Sequence, residues 1–417
     1  MLFEQKKKAM LFRMTFTDRK EPQMPQIIEN FFENILFKYE SCSCDCVEDI
    51  EHIAPGEEPV RKYKLQAIPN EKKLFGYAAK KGLVRIASNG TIEEANVLGT
   101  LIALPNKPPK ELTSFLKNNG FLFPVNSGTY EAFDEAALYG IIDRLRMTVE
   151  LMTAANEVRK DYQKILGLTL SLLFASDITL KTDSMVAEYH SCHHSYVDRL
   201  MNPAAQLSQE HHDQEFISDS FTVVDSIFGT SQLNVQEYND IIGGYSSVPG
   251  FSDQLFKAVT MMYLNDDSNG MDRMITDFLF HYFHDVVMIN FSNGLSYYTE
   301  PNMQNFTGEM KGALIEIAKF VIGEEINANL DGIHPVYDSK TMAPSWKVDS
   351  LLCAAYFSIF YLKPDLELYR PCDNPRCGRY FLVKTTSTRN RFCSQECCNR
   401  VTQDRYRKRR REKEENK

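Results

Sequence analysis

Four cysteines near the carboxyl end constrain this chain more than any other feature. Four residues separate Cys372 from Cys377, fifteen separate Cys377 from Cys393, and three separate Cys393 from Cys397. Two close pairs bracketing a short segment are the ligand pattern of a tetrahedral zinc site. Such a site needs four soft donors about 2.3 Å from the metal. Closely spaced ligands also cost little chain entropy to gather. Gly378 follows the first pair and suits a tight turn, whereas Tyr380 to Lys384 (YFLVK) predicts a strand, with Thr385 to Asn390 as its turn. Ser394 is placed to cap a helix, which would put Cys397 in the first turn. The expected cofactor is one structural Zn2+. With four protein ligands it would have no open position for a substrate.

The run CDNPRCGRYFLVKTTSTRNRFCSQECCNR resembles the CGNR zinc finger, named for its Cys-Gly-Asn-Arg motif. The resemblance implies a treble-clef finger ligated by Cys372, Cys377, Cys393 and Cys397, with Asn399 and Arg400 completing the motif. It also implies the family's role, a stress-induced transcription regulator whose finger closes a longer protein with a helical N-terminal domain. Cys398 stands where the family has Gly, so both Cys397 and Cys398 are candidates for the fourth ligand.

Charge divides the chain in two. From Arg370 onward there are 15 Lys+Arg and 6 Asp+Glu, while the remaining residues hold 32 and 50. A basic tail on an acidic body is the footprint of a polyanion-binding appendage. Arg376, Arg379, Arg389 and Arg391 flank the cysteines and offset the net −2 of a metal held by four thiolates. Beyond them, VTQDRYRKRRREKEENK predicts a basic helix. Arg400, Arg405, Arg407, Lys408, Arg409, Arg410 and Arg411 are the candidate nucleic-acid contacts, Arg being suited to bidentate contact with phosphate or guanine.

The 417 residues suffice for several domains, and 43% apolar content suffices for a sizeable core. The predicted fold class is mainly α. Residues 1–125 form a mixed α+β region, 126–365 a multi-helix domain, and 366–417 the finger with its Arg-rich helix. Gln26 to Lys38 has helical spacing, Glu40 to Pro59 reads as a loop, and Leu74 to Ser88 predicts a hairpin turning at Lys80-Lys81-Gly82. Ile141, Leu145, Val149 and Met152 form an amphipathic stripe. Further helices are predicted over Tyr162–Ala175, Ser184–Met201, Ser220–Phe228, Val235–Ile242, Ser252–Leu264, Met271–Ile289, Lys311–Ile326 and Val348–Leu362. No run reaches the roughly 18 apolar residues of a membrane span, and no secretory signal is evident, so a cytoplasmic setting is expected.

These features predict a zinc-finger nucleic-acid-binding protein that is not an enzyme. Its reading as a DNA-binding transcriptional regulator has the body, alone or as a homodimer, sensing a small-molecule or protein effector. An alternative places a metal-dependent enzyme or effector at His190, Cys192, His193 and His194, with His211 and His212 further on. A third reading is an RNA- or protein-binding adaptor. His281 and His284 fit a wet core edge, Trp346 an anchor for the last body helix, and alternating Cys42, Cys44 and Cys46 one face of an extended segment.

Overall fold

The computed structural model describes residues 35–51, 60–189, 197–198, 202–203, 206, 221–225, 227, 229–233, 253–287, 289–290, 296–297, 301–339, 342–387 and 390–415. Among the described residues helices are joined by several antiparallel sheets, which corrects the mainly α expectation to a mixed α/β fold.

The N-terminal part is an antiparallel sheet in the order β1(Ile35–Glu51), β2(Val60–Ala78), β3(Gly82–Ile86), β4(Ile92–Glu94). A further strand, β5(Glu131–Phe133), pairs with the Tyr63–Leu65 stretch of β2. The β2–β3 hairpin turns where the sequence predicts, with Lys80 and Gly82 at φ 65° and 71°. The loop predicted from Glu40 is instead the body of β1, and Ile35 to Lys38 are strand rather than helix. Along β1 burial moves from odd positions (Phe37, Tyr39, Ser41, Ser43) to even ones (Cys44, Cys46). The register breaks at that point, where Cys42 faces Lys72 but Ser43 faces Ile68. A strand whose covered face changes midway loses the single alternation by which a strand is recognised.

Helices follow: α1(Val97–Leu101), α2(Pro109–Asn119), α3(Glu135–Asn156), α4(Tyr162–Leu173), α5(Asp253–Asn265), α6(Gly270–His281), α7(Gly308–Ala328), α8(Leu351–Phe360) and α9(Gln395–Glu415). Side-chain caps start several of them. The Asp134 carboxylate accepts from Ala136 and Ala137 N–H, Asp161 from Lys164, Thr307 from Met310 and Ser350 from Cys353. The stripe Ile141, Leu145, Val149 and Met152 is buried on α3.

Hairpins interrupt the helices. Ile178–Lys181 pairs with Val186–Tyr189, Phe221–Asp225 with Gly229–Leu233, and Ile333–Asp338 with Ala343–Val348. Val186–Tyr189 and Phe221–Asp225 are thus strands where helices are expected over Ser184–Met201 and Ser220–Phe228, whose other residues are described only in part. Apolar runs of four to six residues carry too few periods to separate strand from helix. Val235–Ile242 lies outside the described residues.

One buried cluster joins sheet, helices and finger. It runs from Phe37 and Phe75 through Leu145 and Tyr356 to Tyr369 and Tyr380. Trp346 packs edge-on against Phe357 of α8, ring centroids 5.4 Å apart, and so anchors that helix.

Candidate metal centre and the helix it holds

The finger begins where strand Glu367–Pro371 delivers Cys372. The backbone then folds into a knuckle. The Asn374 carbonyl accepts from the N–H groups of Cys377 (2.8 Å) and Gly378 (3.3 Å), and Asn374 Oδ1 accepts from Arg376 N–H (3.1 Å). Gly378 has φ +56°, a conformation that a side chain would strain. The Cys372 N–H closes the loop on the Arg379 carbonyl at 2.9 Å.

Strand Tyr380–Lys384 pairs back across this knuckle with Glu367–Pro371. The sequence places the hairpin's turn at Thr385–Asn390; the observed partner lies on the other side. The second half returns through Arg391, whose carbonyl accepts from Asp373 N–H at 2.9 Å and whose guanidinium pairs with the Asp373 carboxylate at 2.5 Å. Ser394 caps α9, accepting the Cys397 N–H on its hydroxyl at 3.3 Å. Arg389 lies outside the described residues.

The four sulfurs of Cys372, Cys377, Cys393 and Cys397 all lie within 4.8 Å of one another. Cys393 Sγ is 3.5 Å from Cys377 Sγ and 3.6 Å from Cys397 Sγ. A tetrahedron with metal–sulfur bonds of about 2.3 Å has edges of about 3.8 Å. A disulfide would need about 2.05 Å. The donor set therefore fits a structural zinc ion, and the fourth ligand is Cys397. Cys398, next along α9, is outside the cluster; its N–H bonds the Ser394 carbonyl at 3.2 Å. Inside a helix the missing Gly of the motif costs no backbone freedom.

Electrostatics agree. Burial pushes up the thiol pKa of both Cys372 and Cys393. Burial also acts on Cys397, but Asn374, Cys393 and Ser394 outweigh it and bring this thiol down to about 7. One thiolate forms readily and takes its neighbours' S–H bonds; a dication is what allows the others to ionise. Asn374 is 3% exposed, and its Nδ2 has no hydrogen-bond acceptor besides what the cluster supplies. A thiolate is the missing acceptor.

The body grips the finger from several sides. Asn96 Nδ2 donates to the Tyr380 carbonyl at 2.5 Å, Lys107 Nζ donates to the Cys377 carbonyl, and Thr153 Oγ1 donates to the Tyr369 carbonyl at 2.9 Å. The Tyr380 hydroxyl bonds the Glu150 carboxylate. None of these partners is marked in the sequence, because each lies more than 200 residues from its mate. Gly99 lets α1 lie against the finger strand, since a Cβ there would press into the Tyr380 carbonyl and the Asn96 side chain. Gly99→Ala is accordingly expected to cost about 1–3 kcal/mol, the usual range for overpacking. The check is a lowered urea midpoint with one zinc per chain retained; an unchanged midpoint would show the seam to be slack.

Past the metal, Val401 is the last buried residue of α9 among those whose burial is described. Arg400, Arg405, Arg407, Lys408, Arg409, Arg410 and Arg411 are all exposed. Twenty-one residues make α9 about 31 Å long. Asp404 pairs with Arg376 of the knuckle (3.6 Å) and with Arg407 (3.9 Å), tying helix to metal loop.

Other candidates do not converge. Cys44 and Cys46 are core thiols raised to about 12 by burial, and Cys44 Sγ meets the Leu116 carbonyl at 3.2 Å. His284 is buried between its own partners. Its Nδ1–H donates to the Phe280 carbonyl (2.8 Å), which leaves Nε2 to accept from Thr260 (2.9 Å). Burial holds this imidazole neutral. His281 pairs with Asp285 at 2.7 Å, on a separate contact. His190, Cys192, His193, His194, His211 and His212 lie outside the described residues. No helix among the described residues is long and apolar enough to cross a membrane.

Residues 369–410 match the family model of the CGNR zinc finger. No curated protein and no solved structure matches the chain.

Proposed function

We propose that this chain is a nucleic-acid-binding regulator of transcription, in which a structural zinc holds an Arg-rich helix against DNA. The observation that carries the reading is α9. Its base is braced by the four-cysteine centre, and beyond Val401 six cationic side chains (Arg405, Arg407, Lys408, Arg409, Arg410 and Arg411) stand exposed. A rod of about 31 Å is long enough to cross a groove of the duplex. The zinc-finger match at 369–410 is consistent with it. The role is binding rather than catalysis, because a metal with four protein ligands offers no site to a substrate. The acidic body is read as the part that senses an effector or partner, in a cytoplasmic setting.

Replacing Arg407, Arg409, Arg410 and Arg411 with Gln tests the reading. Affinity for duplex DNA is expected to fall on every sequence tried, and the slope of log K against log salt to flatten by about 0.9 for each lost phosphate contact. A titration in which the variant keeps the parent's slope would remove α9 from the interface. Loss confined to one sequence would instead mean base reading by these arginines.

A further inference from the structure

Between the finger and the Thr100–Glu111 segment of the body lies a cavity of about 380 Å3, within the size range of small-ligand sites. Lys107, Arg376, Arg379 and Arg400 line it together with the carboxylates of Glu111 and Glu396. Cys377, Cys393 and Cys397 line it too, so the metal centre forms part of its wall and adds about −2, leaving the cleft close to neutral as a whole. Its hydrogen-bond donors are another matter. Arg376 is engaged by Asp404 and Lys107 by the Cys377 carbonyl, but the guanidinium groups of Arg379 and Arg400 have no acceptor among the described residues. Along α9, Arg407 and Arg411 follow Arg400 at spacings of seven and four, on the same helix face. A polyanion lying on that face runs into the mouth of the cleft.

We propose that this cleft takes a backbone phosphate of the bound nucleic acid, held by Arg379 and Arg400 with Lys107 of the body at its wall. The inference rests on the nucleic-acid reading above and extends the interface beyond the finger. Planar guanidinium groups bind phosphate oxygens in pairs, and two of them converging on one cavity suit a phosphodiester. Glu111 is the opposing element, a carboxylate on the same wall that weakens the grip.

The test uses zinc-loaded full chain and a fluorescein-labelled 20-base-pair duplex DNA, titrated by polarisation at several KCl concentrations. Arg379→Gln is expected to lower affinity about tenfold and to reduce the salt slope by about 1. Glu111→Gln is expected to tighten binding about two- to threefold, a gain that a damaged fold does not mimic. If the parent binds and both variants overlay it, the cleft proposal is overturned while the role of α9 stands. Weakening by Arg379→Gln with the parent's slope also overturns it, since the effect then lies in the finger's own fold. A parent chain that does not bind the duplex sinks both readings.

Discussion

Cys393→Ser is expected to yield a chain that no longer retains zinc through gel filtration with a mild chelator, where the parent keeps one ion per chain. Cys393 is the hub of the cluster. Its sulfur lies within 3.6 Å of two others, and its N–H points at Cys372 Sγ from 3.4 Å. A serine hydroxyl does not ionise at neutral pH, so a soft charged donor is lost outright. Structural zinc in small fingers contributes apparent binding energies of about 10–16 kcal/mol, most of it folding energy. Loss of the ion should therefore melt the base of α9. The body should persist, because its buried cluster draws mostly on residues before 365. Proteolysis after Arg400 with a surviving body fragment is the expected pattern; collapse of the whole far-UV signal would show finger and body to be one cooperative unit. Cys398→Ser, by contrast, should keep the ion. The pH dependence has a definite sign. Thiolate is the binding form and Cys397 ionises near 7, while Cys372 and Cys393 are raised, so metal binding releases protons. Affinity must fall as pH is lowered, most steeply below about 7.

Glu325→Leu is expected to destabilise the body by about 3–5 kcal/mol, the usual cost of leaving a buried charge without its partner. Glu325 on α7 and Arg144 on α3 are 1% and 3% exposed and pair at 3.2 Å. Arg144 also donates to the Ser176 carbonyl at 2.9 Å and lies 4.8 Å over the Tyr189 ring. Tyr189 reaches Glu325 at 3.5 Å and shares a hydrogen bond with Tyr356. Burial first, then the Glu325 charge, keeps the Tyr189 phenol protonated. Removing the acid alone strands the guanidinium. Removing both, as Arg144→Met with Glu325→Leu, should recover most of the loss, because a well-packed apolar pair replaces a desolvated ionic one. Urea unfolding of the four proteins in a double-mutant cycle gives the coupling. Single costs that simply add would mean the two side chains act independently.

The elements that could be read in the sequence share one property: their determinants are close together along the chain. The stripe on α3 repeats every three or four residues, the caps lie within three residues of the N–H groups they bind, and the Lys80–Gly82 turn is self-contained. The misread ones depend on distant partners. β1 is a strand because β2 pairs with it from residue 60 onward, and its inward face changes where that pairing shifts register. Arg144 sits among apolar neighbours on α3, and its counter-charge Glu325, 181 residues away, is what makes burial of its charge tolerable.

The same distinction holds at the metal. Cys372, Cys377, Cys393 and Cys397 had to meet, since an ion with about 2.3 Å bonds gathers ligands that short loops already keep near one another. Where the finger rests was decided by the tertiary fold. Asn96 finds the Tyr380 carbonyl across 284 residues, and Lys107 finds the Cys377 carbonyl across 270. No local period or spacing encodes such pairs. They form because packing of the sheet, α1 and α3 brings a polar wall to the place where the finger's buried carbonyls need donors.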